Sequence, residues 1–138
     1  MNTHAVTTTQ TGPASFTSDI DGHSLLSSSE AGIGPSPKKL LLAGLGGCTG
    51  LDVASILTKM HVAYTSLKIV ATATLTEEHP KVYNHIQLDY YVGADEADRE
   101  KIQRAIQLSA DTYCGVMAML SKTAQVQIQL HLQQQAPL

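Results

Sequence analysis

Gly34-Pro35-Ser36-Pro37-Lys38-Lys39-Leu40-Leu41-Leu42-Ala43-Gly44-Leu45-Gly46-Gly47-Cys48-Thr49-Gly50-Leu51-Asp52-Val53 contains a loop, a helix start and a cysteine in one short stretch. Gly32, Gly34, Pro35 and Pro37 make the segment from Glu30 to Pro37 a loop by backbone chemistry alone. Ser36 reads as a helix N-cap, with Pro37 at the first helical position, where a missing N–H costs nothing. From Lys38 onward Leu41, Leu42, Leu45, Cys48, Leu51, Val53, Ile56, Leu57 and Met60 recur at steps of one, three and four. That spacing predicts a mostly buried helix running to about Met60. Gly44, Gly46, Gly47 and Gly50 oppose it, since each interior glycine costs about 0.5–1 kcal/mol relative to alanine. The expected compensation is the close approach of another backbone, from a second helix or a partner subunit, where Cys48 sits. Asp52 follows Cys48 by one helical turn and Ser55 by two, so the three share a stripe. A polar stripe on an apolar helix must face a cavity, a partner or water.

On the N-terminal side, Val6 to Thr11 and Ser15 to Ile20 are Thr- and Ser-rich segments around Gly12-Pro13, and Asp21-Gly22 is a turn signal before Ser24-Leu25-Leu26. This predicts a meander of short strands. On the C-terminal side, Val62 to Thr76 and Val82 to Val92 alternate apolar with polar residues around Glu77-Glu78-His79-Pro80. Two long paired strands are the simplest outcome. Asp95 to Asp111 returns to helical spacing, with Ile102, Ala105, Ile106 and Leu108 inward and Asp95, Glu96 and Asp98 in the first turn, where the helix dipole favours them. A break near Tyr113-Cys114-Gly115 precedes a short apolar segment, Val116 to Leu120. Val126, Ile128, Leu130 and Leu132 then alternate with Gln127, Gln129, His131 and Gln133, as in a strand with one wet face. The residues after it are expected to be loose. No internal repeat is visible, and the pattern is that of one α+β domain over residues 1–138.

Composition limits what such a domain does. With 138 residues and 43% hydrophobic content the chain can build one core, and with no Trp, one Phe and five Tyr that core is aliphatic. Little aromatic surface is left for stacking bases. Nine Lys and Arg against twelve Asp and Glu are scattered rather than striped, so neither nucleic acid nor an anionic membrane is an expected partner. The start of the chain is polar, without the basic and apolar run of a signal peptide, and Leu40 to Leu45 is too short to span a bilayer. A cytoplasmic protein is expected. There, two cysteines do not hold a permanent disulfide, and any pairing is transient. Cys48 and Cys114 lie too far apart in sequence for the common zinc spacings, and the six histidines do not cluster. Neither a metal nor an organic cofactor is expected.

A free cysteine is usually a small buried hydrophobe, so the residue type alone marks no site. The polar stripe beside Cys48 carries more weight. The two cysteine neighbourhoods together carry more still. The opening stretch resembles the first-cysteine motif of the OsmC/Ohr superfamily: a proline, a leucine-containing run, then a small-residue helix reaching Cys at this separation. Leu108-Ser109-Ala110-Asp111-Thr112-Tyr113-Cys114-Gly115-Val116-Met117-Ala118-Met119-Leu120-Ser121-Lys122 resembles the second-cysteine motif, usually Cys-Pro followed by a short helix. The Gly-Gly-Cys-Thr run and Asp52 are closest to the YhfA-like branch.

The resemblance implies an OsmC/Ohr-like fold, with antiparallel sheets wrapped around central helices in an intertwined homodimer. It implies a thiol-dependent organic hydroperoxide reductase in oxidative-stress defence, with Cys48 peroxidatic and Cys114 resolving. Asp52, Thr49, Ser55 and Tyr113 would line the site. The partners implied are an organic hydroperoxide or other small hydrophobic molecule, and a dithiol reductant. The family's peroxidases also use an Arg from the N-terminal strands and a Glu just after the helix-start proline. Here the arginines are Arg99 and Arg104, both in the second helix, and Lys38 and Lys39 follow Pro37. Asp52 does not replace them, because a carboxylate beside a thiolate repels it. His23, after the Asp21-Gly22 turn, is the candidate substitute. The alternative is a non-peroxidase relative that binds a small hydrophobic ligand or senses redox state through its thiols.

Overall fold

The structure, a computed structural model, describes residues 2–133. The looseness expected after the last strand concerns residues outside the described ones. By its contacts the chain divides into two compact units, one ending at Leu42 and the other starting at Ala43. Each is described by itself.

The first unit is a three-stranded antiparallel sheet in the order β1-β2-β3, with β1 Thr7–Gly12, β2 Ser15–Ile20 and β3 His23–Ser28. The expected turn between β2 and β3 is present. Asp21 and Gly22 both take positive φ, 50° and 83°, as a two-residue hairpin turn twisted to match its strands requires. Phe16 pairs with Ser27 and Ser18 with Leu25, so Phe16 and Leu25 share one face of the sheet, where both are exposed. Ser28 ties the strands to the loop that follows. Its hydroxyl donates to the Ala14 carbonyl at 2.9 Å, and its backbone N–H donates to Pro35 O at 3.0 Å.

The helix starts where Ser36-Pro37 places it. α1 spans Pro37–Lys59, and the Ser36 carbonyl accepts from Lys39 N at 3.1 Å. The glycines do not interrupt it, so by length and composition this helix is long and apolar enough to cross a bilayer, which the short run Leu40 to Leu45 did not suggest. One of its faces is nevertheless fixed in the core of the second unit: Leu45, Thr49, Val53 and Leu57, at four-residue steps, are buried. The close backbone approach expected from a second helix is not found within the chain, which leaves the partner-subunit alternative. Among the described residues, a side chain at Gly44, Gly46 or Gly47 would meet no atom within 4 Å beyond its own stretch of helix, and one at Gly50 would meet only the Ile69 Cδ1 methyl, at 3.3 Å. Within one chain the glycine face looks outward.

The second unit continues with a mixed sheet in the order β4-β5-β6, made of β4 Tyr64–Leu75, β5 Tyr83–Ala94 and β6 Gln125–Gln133. β4 and β5 pair antiparallel over nearly their whole length. Alternation on β5 turns Ile86, Leu88, Tyr90 and Val92 inward, all 0% exposed. β6 departs from an all-antiparallel expectation: it runs parallel to β5, with Ile86 opposite Val126 and Leu88 opposite Ile128. The reason is the connection. Between β5 and β6 the chain passes through a 3-10 turn at Glu96–Asp98, α2 (Arg99–Leu108), a π-helical turn (Ser109–Tyr113) and α3 (Gly115–Leu120), long enough to return to the same end of the sheet. Ile102, Ala105 and Ile106 of α2 are buried. The single helix expected over 95–111 is therefore three pieces, and the last decides the site.

Candidate functional site

Two elements bring the site together, α1 and the π-helical turn. Cys48 and Asp52 project from the same side of α1, one turn apart, and Cys114 enters from the end of the π turn. One Sγ from each cysteine and one Asp52 carboxylate oxygen all lie within 4.8 Å of one another. Cys48 and Asp52 are half-buried and Cys114 is buried. Both thiols are free.

The π turn makes this meeting possible. A π-helical turn closes i→i−5 bonds and inserts an extra residue, a rare feature concentrated at functional sites. Here the Cys114 N–H donates to Ser109 O at 2.8 Å, one residue further back than an α-helix allows. The shift buries Ser109 completely and leaves Cys114 extended, with φ −77° and ψ 102°. Cys114 then caps α3, its sulfur accepting from Met117 N at 3.4 Å. That contact favours a thiolate, but burial outweighs it. Removal from water, with the hydrogen bond to Cys48 and the charges of Cys48 and Asp52 adding to it, pushes the Cys114 thiol up to about 11. At neutral pH Cys114 is a protonated thiol.

Behind the cysteines runs a buried line of hydroxyls. Tyr90 Oη lies 2.7 Å from Thr49 Oγ1, which lies 2.8 Å from Ser109 Oγ, which donates to Asp52 Oδ2 at 3.0 Å. A hydroxyl has one proton to give. Because Ser109 gives its proton to Asp52, it accepts from Thr49. Thr49 has then spent its own and accepts from Tyr90. Burial holds the Tyr90 phenol above its usual range, so that proton stays on Tyr90. All three protons thus point toward one carboxylate, and the carboxylate points toward the two sulfurs.

The residues expected to line the site separate accordingly. Cys48, Asp52 and Cys114 converge. Thr49 is fully buried and links Tyr90 to Ser109 instead of lining an opening. Ser55 is exposed and takes no part in this hydrogen-bonded line, and Tyr113, beside Cys114, is 61% exposed. Ser109 and Tyr90 were not anticipated. Tyr90 read as one more inward strand residue, and no sequence signal announced a π turn that would bury Ser109. Arg99 is engaged with Glu96, both on the surface. Arg104 lines a different concavity of about 590 Å³ between α2, the π turn and β6, together with Gln107, Asp111, Ile128 and Leu130. Neither cysteine lines it. His23 is exposed at the start of β3, in the other compact unit.

A sequence model described as OsmC-like protein matches residues 29–129, a stretch that includes both cysteines and crosses the boundary between the two units. The chain belongs to the OsmC-like family. Protein YhfA of Escherichia coli K12 is 34% identical over 106 residues, covering 76% of this chain and 79% of YhfA. Among solved structures, a hypothetical protein from Aquifex aeolicus superposes with a TM-score of 0.88 at 28% identity, over 99% of this chain and 100% of that one. The organic hydroperoxide resistance protein OhrB of Bacillus subtilis superposes with a TM-score of 0.66 at 22% identity, over 94% and 98% of the two chains. This OsmC-like protein has the OsmC/Ohr fold and two neighbouring cysteines, and its structural relatives include a protein of organic hydroperoxide resistance.

Proposed function

We propose that this protein is a cysteine-based peroxidase that reduces organic hydroperoxides, as a defence against oxidative stress in the cytoplasm. The observation that carries the reading is the approach of the two cysteine sulfurs to within 4.8 Å of each other, Cys48 half-buried and Cys114 buried. In the cycle, the Cys48 thiolate attacks the terminal peroxide oxygen and the O–O bond breaks. The departing alkoxide takes a proton to become an alcohol, and Cys48 becomes a sulfenic acid. Cys114 loses its proton and attacks that sulfur, releasing water and leaving a Cys48–Cys114 disulfide. A dithiol reductant reopens the disulfide by two exchanges and becomes a disulfide itself. The assignment of roles suits the burial: the half-buried cysteine meets the substrate, and the protonated one waits behind it.

The working unit in this reading is a homodimer. Phe16 and Leu25 are two exposed apolar side chains on one face of the three-stranded sheet, among Thr8, Gln10, Ser18 and Ser27. On α1, Gly44 and Gly47 open a path beside Leu51, which is 77% exposed. A second copy would cover both surfaces.

The test is turnover. Reduced protein with a dithiol reductant and tert-butyl hydroperoxide is expected to consume the peroxide, and Cys48→Ser to abolish consumption. Loss of peroxide at the wild-type rate in Cys48→Ser, or none in the wild type, would overturn the reading. One observation favours a second reading, a binder of small hydrophobic molecules: the separate concavity presents Ile128 and Leu130 beside Arg104. Absence of turnover combined with ligand-induced thermal stabilisation lost in Arg104→Ala would select it.

A further inference from the structure

The geometry points to Cys48, Cys114 and Asp52 as a three-ligand site for a thiophilic divalent cation such as Zn2+, occupied only while the two cysteines are reduced.

The sequence spacing gave no hint of it, because spacing rules find ligands carried by one loop or one helix. These ligands come from α1 and from the end of the π turn. Two sulfurs and one carboxylate oxygen within 4.8 Å of each other are a donor set that soft thiolate chemistry selects for zinc over magnesium or calcium. With Zn–S about 2.3 Å and Zn–O about 2.0–2.2 Å, tetrahedral ligands stand about 3.6–3.8 Å apart. The side chains here are already within about an ångström of that. Three protein ligands leave a fourth position for water, the pattern of an open zinc site rather than a closed structural one.

The surroundings supply the orientation such a site needs. Carboxylates that bind metals are themselves usually held by hydrogen bonds. Ser109 Oγ holds Asp52 Oδ2 at 3.0 Å, and Thr49 and Tyr90 hold Ser109 in turn. That hydrogen bond fixes the carboxylate beside the two sulfurs. Cys48 is half-buried, so the cation has a way in.

Metal and disulfide exclude each other on geometry. A disulfide needs its sulfurs about 2.05 Å apart, and a tetrahedral cation holds them at nearly twice that. Oxidation by a disulfide-forming reagent such as diamide removes one electron from each thiolate, forms the S–S bond and leaves neither sulfur able to bind. Diamide takes up the two electrons and two protons to become the hydrazine. Bound cation is therefore released as the pair oxidises. The inference goes beyond peroxide turnover and is read without it.

The experiment is an anaerobic titration of reduced, full-length protein with Co2+, followed by its sulfur-to-cobalt absorption, and then competition by Zn2+. Expected are one cation per chain, loss of binding in Cys48→Ser and after diamide oxidation, and at least a tenfold weaker affinity in Asp52→Asn. Oxidised wild type serves as the control whose fold is not in question should the Cys48→Ser variant unfold. No saturable binding in the reduced protein, binding that survives oxidation, or an affinity unchanged by Asp52→Asn would each overturn it.

Discussion

Cys114 shows how one residue's surroundings become a property of the whole fold. Its thiol holds a proton up to about pH 11 in the folded chain, whereas an ordinary thiol releases it near 9.0. Below 9.0 both states carry the proton and stability is unaffected. Between 9.0 and about 11 the unfolded chain has given up a proton that the native state still holds, so stability falls as pH rises. Urea unfolding at pH 8 and pH 11 is expected to show this fall in the wild type beyond any loss shown by Cys114→Ala. An equal fall in both would disprove the assignment. At this scale the sequence was legible for Cys48, Asp52 and Cys114, because a one-turn spacing and two motifs are linear features. Thr49 was misplaced as a lining residue because it adjoins Cys48. A helix turns about 100° per residue, and that turn carries Thr49 from the site side into the core. Ser109 and Tyr90 were illegible: their importance lies in hydrogen bonds across three elements, to which no periodicity corresponds.

Among the elements, α1 is the one whose sequence most nearly described its structure. Its start and its end, within a residue of the expected Met60, held, but the mostly buried character did not: within one chain Leu45, Thr49, Val53 and Leu57 are buried, while Leu41 and Leu51 of the apolar repeat are exposed. Of the two neighbours expected to offset the glycines, a second helix of the same chain is not present at Gly44, Gly46 or Gly47, where the space among the described residues is open, which leaves a partner subunit. In a lone chain Gly47→Ala would stabilise α1 by about 0.5–1 kcal/mol. If a second copy packs there, a larger side chain keeps the two apart. Gly47→Leu is expected to turn a dimer into a folded monomer, seen as a halved mass by sedimentation with an unchanged circular dichroism spectrum. A Gly47→Leu variant that stays dimeric would remove this face from the interface. The π turn could not be read in advance, because one inserted residue leaves the pattern of Ile102, Ala105 and Ile106 before it unchanged.

For the molecule as a whole, both candidate cysteines fall in the unit that begins at Ala43, so joining them ties that unit together and leaves the N-terminal sheet alone. They stand 66 positions apart, and closing a loop of that size raises stability by up to about 4 kcal/mol through the unfolded chain. Oxidised protein is expected to unfold at higher urea than reduced protein, with the new bond within one chain by non-reducing electrophoresis. A lower midpoint would mean that the fold is built around the open thiols. The alternation of β4, β5 and β6 was plain in the sequence, yet the parallel pairing of β6 was not, since alternation gives a strand's faces and not its direction.

The hydroxyl line has an optical consequence. The chain has no tryptophan, so its ultraviolet emission comes from five tyrosines, and Tyr90 is the fully buried one. Its phenol is joined through Thr49 and Ser109 to the carboxylate that adjoins both sulfurs. Any change at the sulfurs that moves Asp52 alters the hydrogen bond felt by that ring. The protein thus carries its own dye at the far end of the wire, and the state of the cysteine pair can be followed without a label.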